Sequence, residues 1–215
     1  EMLRSLVGSE MCIRDSGKAA ARLPARKIHS FCNSGDFSAP VWYAMENLNS
    51  KGGLSMAAFY QKFLRKHLDL SSLSVMRRED NDPYFCTPKG ASIFGWAGVD
   101  GIHFCFVRGF GETVFAVSPM NGGKDCVHVI ARDFSDFLRL LLATGDSAAL
   151  EQAWQWDEAQ FDAFLAENPP TDEQKAVLSQ ISTVFSLTPM ERPWQYLRKL
   201  QADFDLSKLR FTEDF

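Results

Sequence analysis

The fold of this chain is decided by residues 93–142, which read IFGWAGVDGIHFCFVRGFGETVFAVSPMNGGKDCVHVIARDFSDFLRLLL. Short runs of apolar and aromatic residues alternate here with glycine-containing turns, a pattern typical of β-strands. The runs predict four strands, at Ile93–Ala97, Ile102–Val107, Thr113–Ser118 and Cys126–Ala131. Because parallel neighbours need crossover connections of about a dozen residues or more, such short loops predict an antiparallel meander.

A helix is predicted directly after the meander. Asp133 is a favourable N-cap, and Gly145 suits a left-handed C-cap. Between them an apolar stripe repeats at helical spacing: Phe134, Phe137, Leu138 and Leu141. We expect the sheet to bury one side under helices, the side that carries Ile102, Phe104 and Phe106.

The flanking segments also indicate helices. Upstream, Ser55 is a candidate cap for a helix that runs to about Leu70. The C-terminal third predicts helices at about 147–154, 157–167, 172–185 and 190–204, and Thr171 with Gln174 matches a capping box. The order of elements predicts an α+β fold: an antiparallel meander sheet with helices packed on it, followed by a helical C-terminal extension (147–215) packed on the same domain.

The second side of the predicted sheet carries His103, Cys105 and Val107 and is neither cleanly polar nor cleanly apolar. Two interpretations stay open. Either the C-terminal helices cover this side, or it is where another molecule docks.

Residues 6–16, LVGSEMCIRDS, coincide with one translated reading frame of a widely used transposase sequencing adapter. We therefore interpret residues 1–16 as a sequencing-adapter artefact and exclude them from the fold argument. The alternative is a natural N-terminal strand. On the first interpretation the true N-terminus is missing.

Composition places the chain among ordinary globular proteins. Of 215 residues, 46% are hydrophobic and 23% charged, and the net charge is −4. Residues 17–147 carry 15 Lys and Arg against 12 Asp and Glu, whereas residues 148–215 carry 6 against 12. Neither part has a dense basic stripe, so no nucleic-acid partner is expected. The acidic C-terminal third is typical of solvated helices and is also compatible with a basic protein partner.

Motifs for catalysis, cofactors and membranes are missing from the sequence. It contains no P-loop, no dinucleotide-binding fingerprint, no nucleophile elbow and no His-Glu-x-x-His zinc motif, and no run of about 18 apolar residues. Its five cysteines include no Cys-x-x-Cys pair. Because a chain this rich in apolar residues does not require a disulfide scaffold, a reducing compartment is expected. We therefore expect a soluble cytoplasmic protein that is not an enzyme, without cofactor or membrane contact.

One constellation is compatible with zinc: His103-x-Cys105 on one strand and Cys126-x-His128 on another. The strand at 113–118 is expected to lie between them, which would separate the pairs by about 9–10 Å, too far for ligand bonds. The prediction is therefore no metal site. A zinc-stabilised domain or metal-dependent enzyme is kept as a third functional alternative.

Several segments of this region resemble the SUKH superfamily, which includes yeast cell-wall-synthesis regulators and bacterial toxin-immunity proteins. They are 94–98 (FGWAG) running into Asp100-Gly101, the aromatic strand 102–107, 117–119 (VSP) and 131–138 (ARDFSDFL). Residues 196–215 are similar to the C-terminal tail of some members. The chain departs from the family at Val99, where many members carry a second glycine. The resemblance implies an α+β domain at 17–146, a non-enzymatic role and, in bacteria, a partner that is often a toxin domain.

Four residues are candidates for partner binding: Trp96, Asp100, Arg108 and Phe110. Aromatic and arginine side chains in turns often anchor interfaces, although Trp96 is equally compatible with a core position. The leading hypothesis is an immunity-type protein that neutralises a toxin domain by occluding its active site. The alternative is a regulatory or scaffold module that contacts other proteins without neutralising them.

Overall fold

The computed structural model describes residues 58–211. The proposed adapter segment, the Ser55 cap and the last four residues of the predicted extension lie outside the described residues. Residues 58–211 fall within one compact unit.

The four predicted strands form a single antiparallel sheet. They are β1 (Ala91–Trp96), β2 (His103–Val107), β3 (Val114–Val117) and β4 (Val127–Ala131). Their order in the sheet is β1-β2-β3-β4, and every neighbouring pair is antiparallel. The meander predicted from the short glycine-containing turns is confirmed.

The outer edge of β1 is partly covered by the chain that precedes it. Met76 forms an isolated antiparallel bridge with Trp96, with N–H···O distances of 2.8 Å in both directions. A Cβ atom at Gly95 would lie 2.4 Å from Cγ1 of Val75, so the absence of a side chain there permits this close approach. The bridge therefore covers the outer edge of β1 at Trp96, the last residue of the strand.

Six α-helices accompany the sheet: α1 (Ala58–Leu64), α2 (Phe134–Thr144), α3 (Ala148–Gln152), α4 (Glu158–Glu167), α5 (Asp172–Phe185) and α6 (Pro193–Asp203). Asp133 caps α2 by accepting a hydrogen bond from the backbone N–H of Asp136 at 2.8 Å. The Thr171 and Gln174 capping box is present at α5. These local signals were sufficient because a cap and its partner lie within one helical turn.

Two helix boundaries differ from the prediction. The first helix ends at Leu64 rather than near Leu70, because its last turn tightens and His67 adopts a positive φ of 50°. The last long helix begins at Pro193 rather than near 190, since proline is favourable at the first helical position and lacks the N–H needed inside a helix.

The helix-covered side of the sheet is an aromatic core. Phe104 and Phe106 are buried on this side, as predicted. Phe134 of α2 lies at its centre, with ring centroids 4.7 Å from Tyr60 and 4.9 Å from Phe63. Residues of α3, α4, α5 and α6 belong to the same core, among them Leu150, Phe161, Ile181 and Leu197.

The second side of the sheet is covered by the C-terminal segment. Buried residues of three strands form a second apolar cluster there, among them Cys105, Val107, Phe115, Val117 and Val129. The end of α6 and the chain after it pack on this cluster through Leu200, Phe204, Leu206, Leu209 and Phe211. The first of the two open interpretations is therefore correct, and both sheet faces are used by the chain's own core. Neither face of the sheet is therefore free to dock another molecule.

Candidate partner-binding surface

The structure separates the four candidate residues into two pairs. The β1–β2 turn (97–102) and the β3–β4 loop (118–126) lie at the same end of the sheet, which we call the Asp100 end. Trp96 and Asp100 lie at this end. Arg108 and Phe110 lie in the β2–β3 turn at the opposite end. The four side chains therefore do not form one continuous site.

Phe110 packs on the second core. Its ring centroid lies 5.8 Å from Phe115 and 5.6 Å from Phe204, so it closes the cluster under the C-terminal segment. Arg108 next to it is exposed, and its backbone N–H donates to the carbonyl of Gly90 at 3.1 Å. The position of Phe110 in a turn made it a candidate for partner binding, and these tertiary contacts give its ring a structural role.

Trp96 forms the floor of a cleft on the β1 edge and is 3% exposed. Its indole N–H donates to Oδ1 of Asn81 at 3.1 Å, and the guanidinium of Arg78 lies 4.6 Å from the indole ring centroid. The cleft has a volume of about 280 Å³ and is lined by Arg78, Asp80, Asp82, Pro83, Tyr84 and Trp96. We call it the Trp96 cleft.

His103 supports the cleft from behind. Its ring lies 4.8 Å from Trp96 and stacks 6.0 Å from Tyr84. The carbonyl of Gly101 accepts from Nδ1 at 2.8 Å, which leaves Nε2 to accept from the Thr87 hydroxyl at 3.1 Å in the neutral ring. Burial lowers the pKa of His103 and favours this neutral form. Both ring nitrogens are thus engaged in holding the loop, and neither points a free lone pair at the cleft.

The Asp100 end also exposes large apolar side chains. Val99 is 61% exposed and Met120 is 75% exposed, on the β1–β2 turn and the β3–β4 loop. Tyr84 is 42% exposed and lies between these side chains and the Trp96 cleft. Its ring packs directly on the β1–β2 turn, because a Cβ atom at Gly101 would lie 2.5 Å from Cζ of Tyr84. Exposed apolar groups clustered among polar ones are typical of interaction surfaces.

Carboxylates lie among these apolar groups. Asp100 occupies the turn at a positive φ of 51°, and Asp125 is exposed on the β3–β4 loop. Glu151 of α3 accepts a hydrogen bond from the Ser118 hydroxyl at 3.2 Å. Burial raises the pKa of Glu151, Ser118 opposes the rise, and the nearby Asp100 adds to it. We define the acidic–apolar surface as Tyr84, Val99, Asp100, Met120, Asp125 and Glu151.

The two histidine–cysteine pairs do not converge. Cys105 pairs with Phe115 and belongs to the second core, whereas His128 pairs with Ala116 on the opposite face of the sheet and stacks on Trp154 at 4.6 Å. Strand β3 lies between β2 and β4, as the sequence predicted. Within residues 58–211, no three His, Cys, Asp or Glu side chains are grouped closely enough to hold a metal ion.

Several residues of this surface were not candidates at the sequence level. Tyr84 follows the turn-forming sequence Asp80-Asn81-Asp82-Pro83. Met120 comes directly after the 117–119 (VSP) segment, and Glu151 lies in the helix predicted at 147–154, but neither residue was itself part of a motif. Val99 was identified from the sequence only as a departure from the SUKH pattern, in which many members have a glycine. In the structure its side chain is one of the most exposed large apolar groups of the described residues.

The described part of the chain has no helix with both the length and the apolar character needed to cross a bilayer. No protein-family model, no curated protein and no solved structure matches this chain significantly.

Proposed function

We propose that this chain is a non-enzymatic protein-binding domain of the immunity type, which acts in the cytoplasm and neutralises a toxin domain by occluding its active site. The observation that carries the proposal is the acidic–apolar surface, where Val99 and Met120 project into solvent beside Asp100 and Asp125. The resemblance of residues 93–142 to the SUKH superfamily supports the same role. A regulatory or scaffold module is the alternative, since it would use the same surface.

The chemistry of the surface favours a basic protein partner. Apolar side chains supply contact area, and each one that becomes fully buried contributes about 1.5–3 kcal/mol. The surrounding carboxylates attract positive charge and repel the phosphates of nucleic acids. A toxin domain whose active site is positively charged would therefore be both attracted and covered.

The test is co-expression in a bacterial host with the toxin domain encoded beside the gene for this chain, followed by binding measurements with the purified pair. We expect wild-type protein to restore growth, and the double variant Val99→Ser/Met120→Ser to bind at least about tenfold more weakly. Both side chains are exposed, so the free energy of unfolding should not change. The matched control is Val184→Ser, whose side chain is 41% exposed on α5, away from this surface.

Three outcomes distinguish neutralisation through this surface from the alternatives. Protection by wild type, lost in the double variant and kept in Val184→Ser, supports the proposal. Binding without growth rescue favours the regulatory or scaffold module. Equal protection by the double variant and wild type removes the acidic–apolar surface from the mechanism.

A further inference from the structure

The Trp96 cleft has the composition of a cation-binding site. Two aromatic rings line it, Trp96 at the floor and Tyr84 beside it, with centroids 6.2 Å apart and planes inclined at 58°. Its rim carries two carboxylates, Asp80 and Asp82. Aromatic faces attract a cation within about 6 Å of the ring centroid through the ring quadrupole, and nearby carboxylates add to that attraction.

A cation already lies in the cleft, and it belongs to the chain itself. The guanidinium of Arg78 is 4.6 Å from the Trp96 centroid. It forms no hydrogen bond or ion pair with any residue of the described range 58–211, so the aromatic face is its one specific contact there. An exposed contact of this kind is worth about 0.5–1 kcal/mol, which makes Arg78 easy to displace.

The two carboxylates of the rim are also unengaged. Within the described residues, neither Asp80 nor Asp82 takes part in a salt bridge, since those bridges involve Asp136, Asp172 and Asp203. Both are exposed. Two such carboxylates beside an aromatic floor leave negative charge available to a second cation.

The rings of Trp96 and Tyr84 are held in place by contacts on their buried side. Trp96 is fixed by its hydrogen bond to Asn81, its backbone bridge to Met76 and the ring of His103 behind it. Tyr84 is held against Gly101 and His103. Because the rings are already positioned, a ligand loses little of its binding energy to ordering them.

We propose that the Trp96 cleft binds an arginine side chain of the partner, and that Arg78 occupies the same position as an exchangeable stand-in in the free protein. The planar guanidinium suits stacking on an indole face, and the volume of about 280 Å³ suits one side chain rather than a cofactor. This inference deepens the proposed function, on which it rests, by naming the group that the partner inserts.

The experiment titrates the full chain with blocked L-arginine (Nα-acetyl-L-arginine amide) while the indole N–H resonance of Trp96 is followed by NMR. Blocked citrulline, which has nearly the same shape without the charge, is the neutral probe, and blocked lysine tests a compact ammonium. The variants are Arg78→Ala, which empties the cleft, and Asp80→Asn/Asp82→Asn, which removes the rim charge. Arg132→Ala is the matched control, because Arg132 stacks on Tyr196 at 5.4 Å elsewhere in the molecule.

We expect blocked arginine to bind weakly to wild type and about two- to fivefold more tightly to Arg78→Ala, the factor that corresponds to the contact released. The rim variant should bind more weakly, and Arg132→Ala should behave as wild type. The inference is overturned if Arg78→Ala gains no affinity, if citrulline binds as well as arginine, or if lysine binds more tightly than arginine.

Failure of this inference and failure of the proposed function are distinguishable. If a toxin is neutralised but Arg78→Ala binds blocked arginine no better than wild type, the arginine site is wrong and the protein-binding role stands. If the arginine titration behaves as expected but no partner is neutralised, the site is supported and the immunity-type role is not.

Discussion

Phe110 and Phe204 should be energetically coupled, because the C-terminal segment packs on the second side of the sheet through this pair. Their ring centroids are 5.6 Å apart, and both rings lie within 6 Å of Phe115, which is fully buried. If the segment were not packed there, replacing one ring would have no effect on the cost of replacing the other.

The size of the destabilisation and of the coupling can be estimated from the burial of the two rings and their contact. A Phe→Ala substitution at a fully buried site costs about 3–5 kcal/mol, so each of these half-buried rings should contribute about 1.5–2.5 kcal/mol. An aromatic pair adds about 0.5–1.5 kcal/mol beyond buried area. Phe110→Ala/Phe204→Ala should therefore be less destabilised than the sum of the single variants by about that coupling.

The assay is urea unfolding of wild type, both single variants and the double variant, followed by far-ultraviolet circular dichroism. A loss of about 2 kcal/mol moves the midpoint by roughly 0.7–1 M when the slope is about 2–3 kcal/mol per M. The control pairs Phe110→Ala with Phe164→Ala, since Phe164 is a half-buried ring that packs on Trp156 in the first core. That pair should be additive within about 0.5 kcal/mol.

A Phe110–Phe204 coupling no larger than that of the control pair would mean that the C-terminal segment is not held on the sheet through these rings. An unchanged urea midpoint in Phe110→Ala would contradict the structural role of this ring. In that case Phe110 would be free to act as the interface anchor that its loop position suggests.

Three further predictions concern capping and ionisation. Asp133→Ala removes the N-cap of α2 and should lower the free energy of unfolding by about 1 kcal/mol, measured by urea unfolding; an unchanged midpoint would contradict the cap. Burial lowers the pKa of His103 below 6.5, so the folded state binds fewer protons than the unfolded state and stability should fall as the pH drops below about 6.5. In His103→Gln, the free energy of unfolding should change less steeply with pH between pH 7 and 5. An unchanged pH dependence would count against this prediction. Burial raises the pKa of Glu151, so the stability tied to its protonated form is complete below pH 4.5 and lost as pH rises through the raised pKa. Glu151→Gln should therefore gain stability at pH 7 relative to pH 4 in parallel thermal melts, and an equal change at both pH values would refute this.

Of the six residues of the acidic–apolar surface, one, Asp100, was a candidate from the sequence, and Trp96 was a second candidate close to it. Both lie in the segment that resembles the SUKH pattern; the structure places Asp100 in the acidic–apolar surface and Trp96 in the adjacent cleft. Tyr84 and Glu151 could not be found, because they reach this surface from the segment before β1 and from α3, each separated from Asp100 by at least 16 residues. Only the folded chain brings them together.

What the sequence determined by itself was local. Alternating strands, short glycine-containing turns and the Asp133 and Thr171 caps are encoded within windows of a few residues, because hydrogen bonds and side-chain alternation act between near neighbours. The tertiary structure alone decided that residues 204–211 close the second side of the sheet, whose strands lie more than 70 residues earlier in the chain, and that Trp96 faces a cleft holding Arg78. The apolar pattern of the sequence shows which side of an element is buried. It does not show which other element covers that side, because the hydrophobic effect is non-directional.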